Sequence, residues 1–158
     1  MSVGFKPMRP GQEDAVAALV RQLPKDLNLD VQAKLTGESL RKAAGLVNVT
    51  VAEDSGLLLG ACVWLMTFST WRSTKGMYVV DLFVMSHARG RKIGERLLQA
   101  AAKLAQKEGA EFIKLEVDVT NEGAGRFYDR FGFGRHPNDE LFILEEDKLK
   151  EFIGRKFT

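Results

Sequence analysis

The chain has 158 residues, 45% hydrophobic and 28% charged, which suits one folded domain with a single core rather than a disordered segment. Lys and Arg total 23 against 21 Asp and Glu, and a net charge of +2 is too small to argue for a nucleic-acid partner. The single cysteine, Cys62, excludes an internal disulfide and a cysteine-rich metal site, and its apolar surroundings predict a buried strand thiol. The opening MSVGFKPMRP lacks a signal-peptide apolar region and no apolar run reaches membrane-spanning length, so a cytoplasmic protein with no membrane partner is expected.

Residues 2–8 predict a short strand ended by Pro7 and Pro10. Val16, Leu19, Val20 and Leu23 fall at helical spacing over residues 12–23, with Glu13 and Asp14 in the first turn and Pro24 as the stop. A second helix is expected over 35–44, capped by Thr36 and closed by Gly45. The irregular stretch 25–35 between the two predicts a mobile loop near any substrate.

Beyond Gly45 the apolar period drops from 3.6 to 2. Residues 47–52 and 57–68 predict a hairpin turning at Glu53-Asp54-Ser55-Gly56, and Gly60 predicts a bulge or a close backbone approach. A polar turn carrying Trp71 leads to 77–85, an apolar strand interrupted only by Asp81. Ser86-His87-Ala88 breaks that run, and Arg89-Gly90-Arg91-Lys92-Ile93-Gly94 leads straight into a helix over 95–107. A strand, a basic loop and a helix start together predict an anion site, since the N–H groups of a helix N-terminus and its dipole both favour negative charge. The alternative is a solvated basic helix start.

The helix presents Ile93, Leu97, Leu98, Ala101 and Leu104 on one face and ends at Gly109. Residues 112–119 alternate, with Ile113, Leu115, Val117 and Val119 opposite Glu116 and Asp118, and predict a strand parallel to 77–85. A short helix over 121–131 follows, then strand pieces at 133–135 and 141–145, and a terminal helix over 147–155. His87 and His136 have neither the spacing nor the neighbours of metal ligands, and no metal is expected.

Two motifs taken together resemble a known family. DLFVMSHARGRKIGERLL, followed by VTNEGAGRFYDRFGF at the family's spacing, is similar to the GNAT superfamily of N-acetyltransferases over most of the chain. Phe68-Ser69-Thr70-Trp71, Gly76-Met77-Tyr78, Asp81-Leu82-Phe83-Val84 and the ending LFILEEDKLKEF resemble its diamine and spermidine/spermine branch. The resemblance implies an α/β fold: a mixed, mostly antiparallel sheet of six to seven strands with a splayed parallel pair, flanked by about four helices.

It further implies acetyl-CoA as cosubstrate, and a small-molecule amine as acceptor. Backbone at Leu82, Phe83 and Val84 would bond the pantetheine arm, and Arg89, Gly90, Arg91, Lys92, Ile93, Gly94 and Glu95 would hold the pyrophosphate. Asn121 and Ala124 would lie beside the arm, with helix capping as the alternative use of Asn121. Tyr128 would protonate the leaving thiolate, with core packing as its alternative. Lys92 departs from the pattern, standing where many members have a second glycine. Val80 stands where the polyamine branch often has glutamate, which leaves Asp81 to hold a cationic substrate or pair structurally. Trp71 would rim the substrate pocket. Relatives in this branch are commonly dimers, so the resemblance implies a homodimer, with the apolar residues of 149–157 either at the contact or over the monomer's own core. Acetylation of a protein N-terminus or lysine, and an acyl-CoA sensor without catalysis, are the alternative functions.

Overall fold

The computed structural model describes residues 2–26 and 32–156. The chain divides into two compact units, Met1–Glu116 and Val117–Thr158.

The first unit is built on a five-stranded sheet in sequence order: β1 (Gly4–Pro7), β2 (Asn48–Asp54), β3 (Leu57–Ser69), β4 (Thr74–Val84) and β5 (Ala110–Lys114). The first four strands pair antiparallel, and β5 joins β4 parallel after a crossover through α3 (Ile93–Lys107). The β2–β3 turn places Ser55 at φ 51 and Gly56 at φ 86, the two left-handed residues that a tight two-residue hairpin needs.

On one face, α1 (Glu13–Asp26) and α2 (Gly37–Lys42) bury Val16, Leu19, Val20 and Leu40 against Val49, Val51, Ala61, Val63 and Phe83. On the other, α3 buries Leu97, Leu98, Ala101 and Ala105. Helix α1 continues three residues past the predicted stop at Leu23. Proline forfeits the bond to the carbonyl four residues back, but its fixed φ is already helical, so a last turn can carry it. Thr36 caps α2 as expected, its hydroxyl accepting from the Ser39 N–H at 3.1 Å. The loop expected near substrate lies partly at 27–31, outside the described residues.

The second unit holds α4 (Glu122–Asp129) and α5 (Glu146–Ile153). Strand pieces were expected at 133–135 and 141–145, and among the described residues neither belongs to a strand. The backbone at the first is committed to ending α4. Gly132, at φ 88, donates to the Asp129 carbonyl and Phe133 to the Tyr128 carbonyl, a Schellman closure. The sheet therefore has five strands, not six to seven, and five α-helices are described instead of about four. No described helix is long and apolar enough to cross a membrane.

Candidate active site

Strand β4 is where the geometry departs from a regular sheet. Val63 pairs with Asp81 while the next residue, Trp64, pairs with Val79, so Val80 is an extra residue, a β-bulge. Residues directly opposite in a sheet share a face. Val79 and Met77 therefore lie with Trp64 and Met66 on the α3 side. Beyond the bulge, Asp81 and Phe83 lie with Val63 and Ala61 on the α1–α2 side, together with Tyr78 opposite Leu65. A plain strand would have put Tyr78 and Asp81 on opposite faces. The bulge puts them on one.

The parallel pair also opens here. Pairing of β4 with β5 ends at Tyr78↔Lys114, whereas pairing with β3 continues to Val84↔Gly60. The edge of β4 that faces away from β3 at Leu82, Phe83 and Val84 thus has no ladder partner among the described residues, leaving backbone polar groups for a ligand. On the α1 side of this segment a cavity of about 260 Å³ is lined by Leu19, Gln22, Leu23, Phe83, Val84, Met85 and Ser86. A larger cavity, about 480 Å³, opens at the other end of the sheet between Glu13, Arg41, Asn48 and Lys107, away from the open edge and the start of α3.

From Val84 the chain passes through a 3₁₀ turn, Ser86–Ala88, into the basic loop. Ala88 and Ile93 are buried and pin it at both ends, and the Arg89 Nε–H donates to the Val84 carbonyl at 3.3 Å. Gly90 has φ 82 with open space where a side chain would be. Lys92, the residue before α3, is left-handed at φ 57 and makes no side-chain cap. The first α-helical bond is Arg96 N–H to the Lys92 carbonyl, so the N–H groups of Ile93, Gly94 and Glu95 have no partner within the helix. Three N–H groups left over at the helix start, beside exposed Arg89, Arg91 and Lys92, form a cradle able to receive an anion.

Burial raises the Asp81 carboxyl above the ordinary carboxylate range. Burial first, then the Asp81 charge, pushes the Cys62 thiol up to about 12, so Cys62 is protonated at neutral pH and inert. Glu116 lies beyond the end of β5, and its Oε1 accepts from the Tyr78 hydroxyl at 3.1 Å. That bond was not read from the sequence, which carries no local signal for it. The expected strand over 112–119 stops at Lys114, and Asp118 instead holds a turn, accepting from the Thr120 N–H at 2.8 Å and hydroxyl at 2.6 Å. Trp71 is 97% exposed in the turn between β3 and β4. That turn precedes Thr74, the first residue of β4, so it is at the opposite end of the strand from the cradle.

In the second unit, Asn121 caps α4, its Oδ1 accepting from the Ala124 N–H at 3.1 Å. Tyr128 packs edge-on against Phe127 and Phe133, with ring centroids 5.1 and 5.2 Å away.

Residues 16–133 match the Acetyltransferase (GNAT) family. The chain is 24% identical over 155 residues to a thialysine N-epsilon-acetyltransferase of Mus musculus, covering 89% of this chain and 91% of that one. It is 34% identical over 103 residues to N-alpha-acetyltransferase 30 of Schizosaccharomyces pombe, covering 65% and 68%. Among solved structures, an integron cassette protein from the mobile metagenome of V. cholerae superposes with a TM-score of 0.80 at 25% identity, covering 98% and 99%. Bulged strand, open parallel pair, helix-start cradle and matched sequence agree: the chain belongs to the GNAT family, acetyltransferases that take acetyl-CoA as cosubstrate.

Proposed function

We propose that the chain transfers the acetyl group of acetyl-CoA to a primary amine of a small molecule, such as a diamine, a polyamine or an amino-acid-like compound. The observation that carries this reading is the open edge of β4 running into the α3 cradle. The edge at Leu82, Phe83 and Val84, without a ladder partner but with the Val84 carbonyl accepting from Arg89 Nε, suits the amides of an extended pantetheine arm. Arg89 to Glu95 suit the pyrophosphate. A neutral amine attacks the thioester carbonyl, whose developing negative charge is held by a backbone N–H of β4, and the CoA thiolate leaves. By the motif in which they stand, Asn121 and Ala124 flank the arm and Tyr128 gives the departing sulfur its proton.

Half-buried Asp81, on the same face of β4 as Phe83, supports a small cationic acceptor, since a desolvated carboxylate interacts strongly with an ammonium. The named activity of the mouse relative, on a side-chain amine, supports the same class. Trp71, exposed in the turn before β4, stays in the proposal as an aromatic residue at the rim of the substrate pocket. Cytoplasmic location and a homodimer through Leu149, Phe152 and Ile153 of α5 remain parts of the proposal; analytical ultracentrifugation giving a monomer would remove the second.

The match to N-alpha-acetyltransferase 30 favours a second reading, acetylation of a protein N-terminus. A thiol-release assay with acetyl-CoA against small amines and N-terminal peptides decides between them. Turnover on small amines is expected. Activity on peptides alone would establish the second reading, and tight acetyl-CoA binding with no turnover would leave an acyl-CoA sensor.

A further inference from the structure

We propose that the cavity at the far end of the sheet from the cradle is a second small-molecule site, one that takes an apolar α-amino acid. The inference is independent of the acetyl-transfer reading, and every residue it uses belongs to the first unit.

The cavity holds about 480 Å³, within the roughly 300–1,000 Å³ usual for small-molecule sites. It lies where the end of α2, the start of β2 and the last turn of α3 come together, whereas the cradle is at the start of α3. Much of its lining is apolar. Leu40 and Val49 are buried, Leu104 joins them from α3, and buried Trp64 contributes its ring. The Trp64 indole N–H is already given to the Thr50 hydroxyl at 3.0 Å, so this part of the lining offers contact and no spare hydrogen bond.

Glu13 supplies the polar end. Glu13 and Glu53 are buried to nearly the same degree, and they differ in what they receive. Glu53 accepts from both Nη atoms of Arg9 and pairs with Lys6, each at 2.9 Å. Glu13 accepts the Gly11 N–H at 2.8 Å, and the one cation paired with it among the described residues is Arg41, at 3.9 Å. That is well beyond the roughly 2.7–2.9 Å of a charge-assisted hydrogen bond. A carboxylate has about four lone-pair sites, and burying it with most of them unfilled is costly. Arg41 is under-used in the same way. Its contacts to Glu13 and Asp14, 3.9 and 3.8 Å, are both too long for hydrogen bonds, and half of its side chain is exposed.

These two charges select the ligand. An ammonium alone would satisfy Glu13 and be repelled by Arg41, and a carboxylate alone would satisfy Arg41 and be repelled by Glu13. An α-amino acid carries both groups on one carbon, which suits a carboxylate and a guanidinium 3.9 Å apart. The α3 rim adds Lys107 and Glu108, one charge of each sign, so the side chain is chosen by the apolar lining.

The chain has two tryptophans, Trp64 and Trp71, so its ¹⁵N spectrum holds two indole N–H signals that Trp71→Phe assigns. L-Leucine should move the Trp64 signal saturably, with a Kd below about 1 mM. A signal that stays still at about tenfold that concentration would overturn the proposal. Isoamylamine and isocaproate keep the apolar chain with one charge each, and both should bind at least about tenfold more weakly. Equal affinity for either would remove the amino-acid assignment.

Glu13→Gln keeps an oxygen for the Gly11 N–H but loses the charge, and it should bind leucine at least about tenfold more weakly. Arg41→Gln, at a half-exposed side chain, should do the same and serves if the first variant fails to fold. Parent-like affinity in a folded variant would overturn the proposal. Leucine is itself an amine, so the acceptor site must be told apart. Asp81→Asn, and separately saturating CoA, should leave the Trp64 shift and the leucine Kd unchanged. Loss of the shift under either condition would put leucine in the acetyl-transfer site and overturn the second one.

Discussion

Lys92 shows how much a single residue can report about the backbone. It stands where related sequences often place glycine, and its φ of 57 explains the habit: a side chain there costs about 1–2 kcal/mol that glycine does not. Glu53 is the other informative residue. Its buried carboxylate accepts from both Nη atoms of Arg9 at 2.9 Å and pairs with Lys6 at 2.9 Å, tying β1 and the turn after it to β2. The hydrogen bonds from Arg9 and then Lys6 hold its carboxyl down at about 2. A depressed folded pKa gives stability that is present above the unfolded value of about 4.3 and lost as pH falls toward 2. Thermal unfolding should therefore lose Tm between pH 4 and 2 in the parent, and less steeply in Glu53→Gln. Tyr128 belongs at this scale too. Tyr128→Phe should lower kcat by about 10²-fold with acetyl-CoA affinity unchanged in a titration, whereas unchanged kcat would return Tyr128 to its packing role beside Phe127 and Phe133.

At the scale of elements, β3 and β4 depend on one close contact. A Cβ on Gly60 would come within 2.6 Å of the Phe83 carbonyl oxygen and 3.3 Å of the Val84 Cα. Gly60→Ala must push β4 outward at the residues proposed to bond the pantetheine arm. It should cost about 1–3 kcal/mol in denaturant unfolding and weaken acetyl-CoA binding in the same variant. Normal affinity in a destabilised protein would dissociate the strand from the ligand. Gly60 was legible in the sequence as a bulge or close approach, because a glycine amid apolar strand residues has few other uses. The bulge at Val80 was not legible, because it exists only relative to β3. The alternation over 112–119 suggested a longer strand than β5, since period alone shows that residues can line a face, not that a partner strand reaches them.

For the whole molecule, the cradle predicts coupling between ligand and stability. Acetyl-CoA at a hundred times its Kd should add about 2.7 kcal/mol. At roughly 2–4 °C per kcal/mol for a chain of this size, Tm should rise by about 5–10 °C. Gly94→Asp puts a carboxylate at the start of α3 and should abolish most of that rise, leaving the unliganded Tm close to the parent's. A full shift in the variant would displace the pyrophosphate from the cradle.

The sequence alone determined the helices, the hairpin, the crossover and the basic loop before α3, because apolar period, caps and glycines are local and act within a few residues. It carried the family through two motifs that keep their spacing. Only tertiary structure decided that the sheet has five strands, that β4 and β5 part after Tyr78, that Tyr78 and Asp81 share a face, and that Glu116 reaches Tyr78. Each of those depends on register between segments distant along the chain, and register is fixed by packing a whole face at once rather than by any short run of residues.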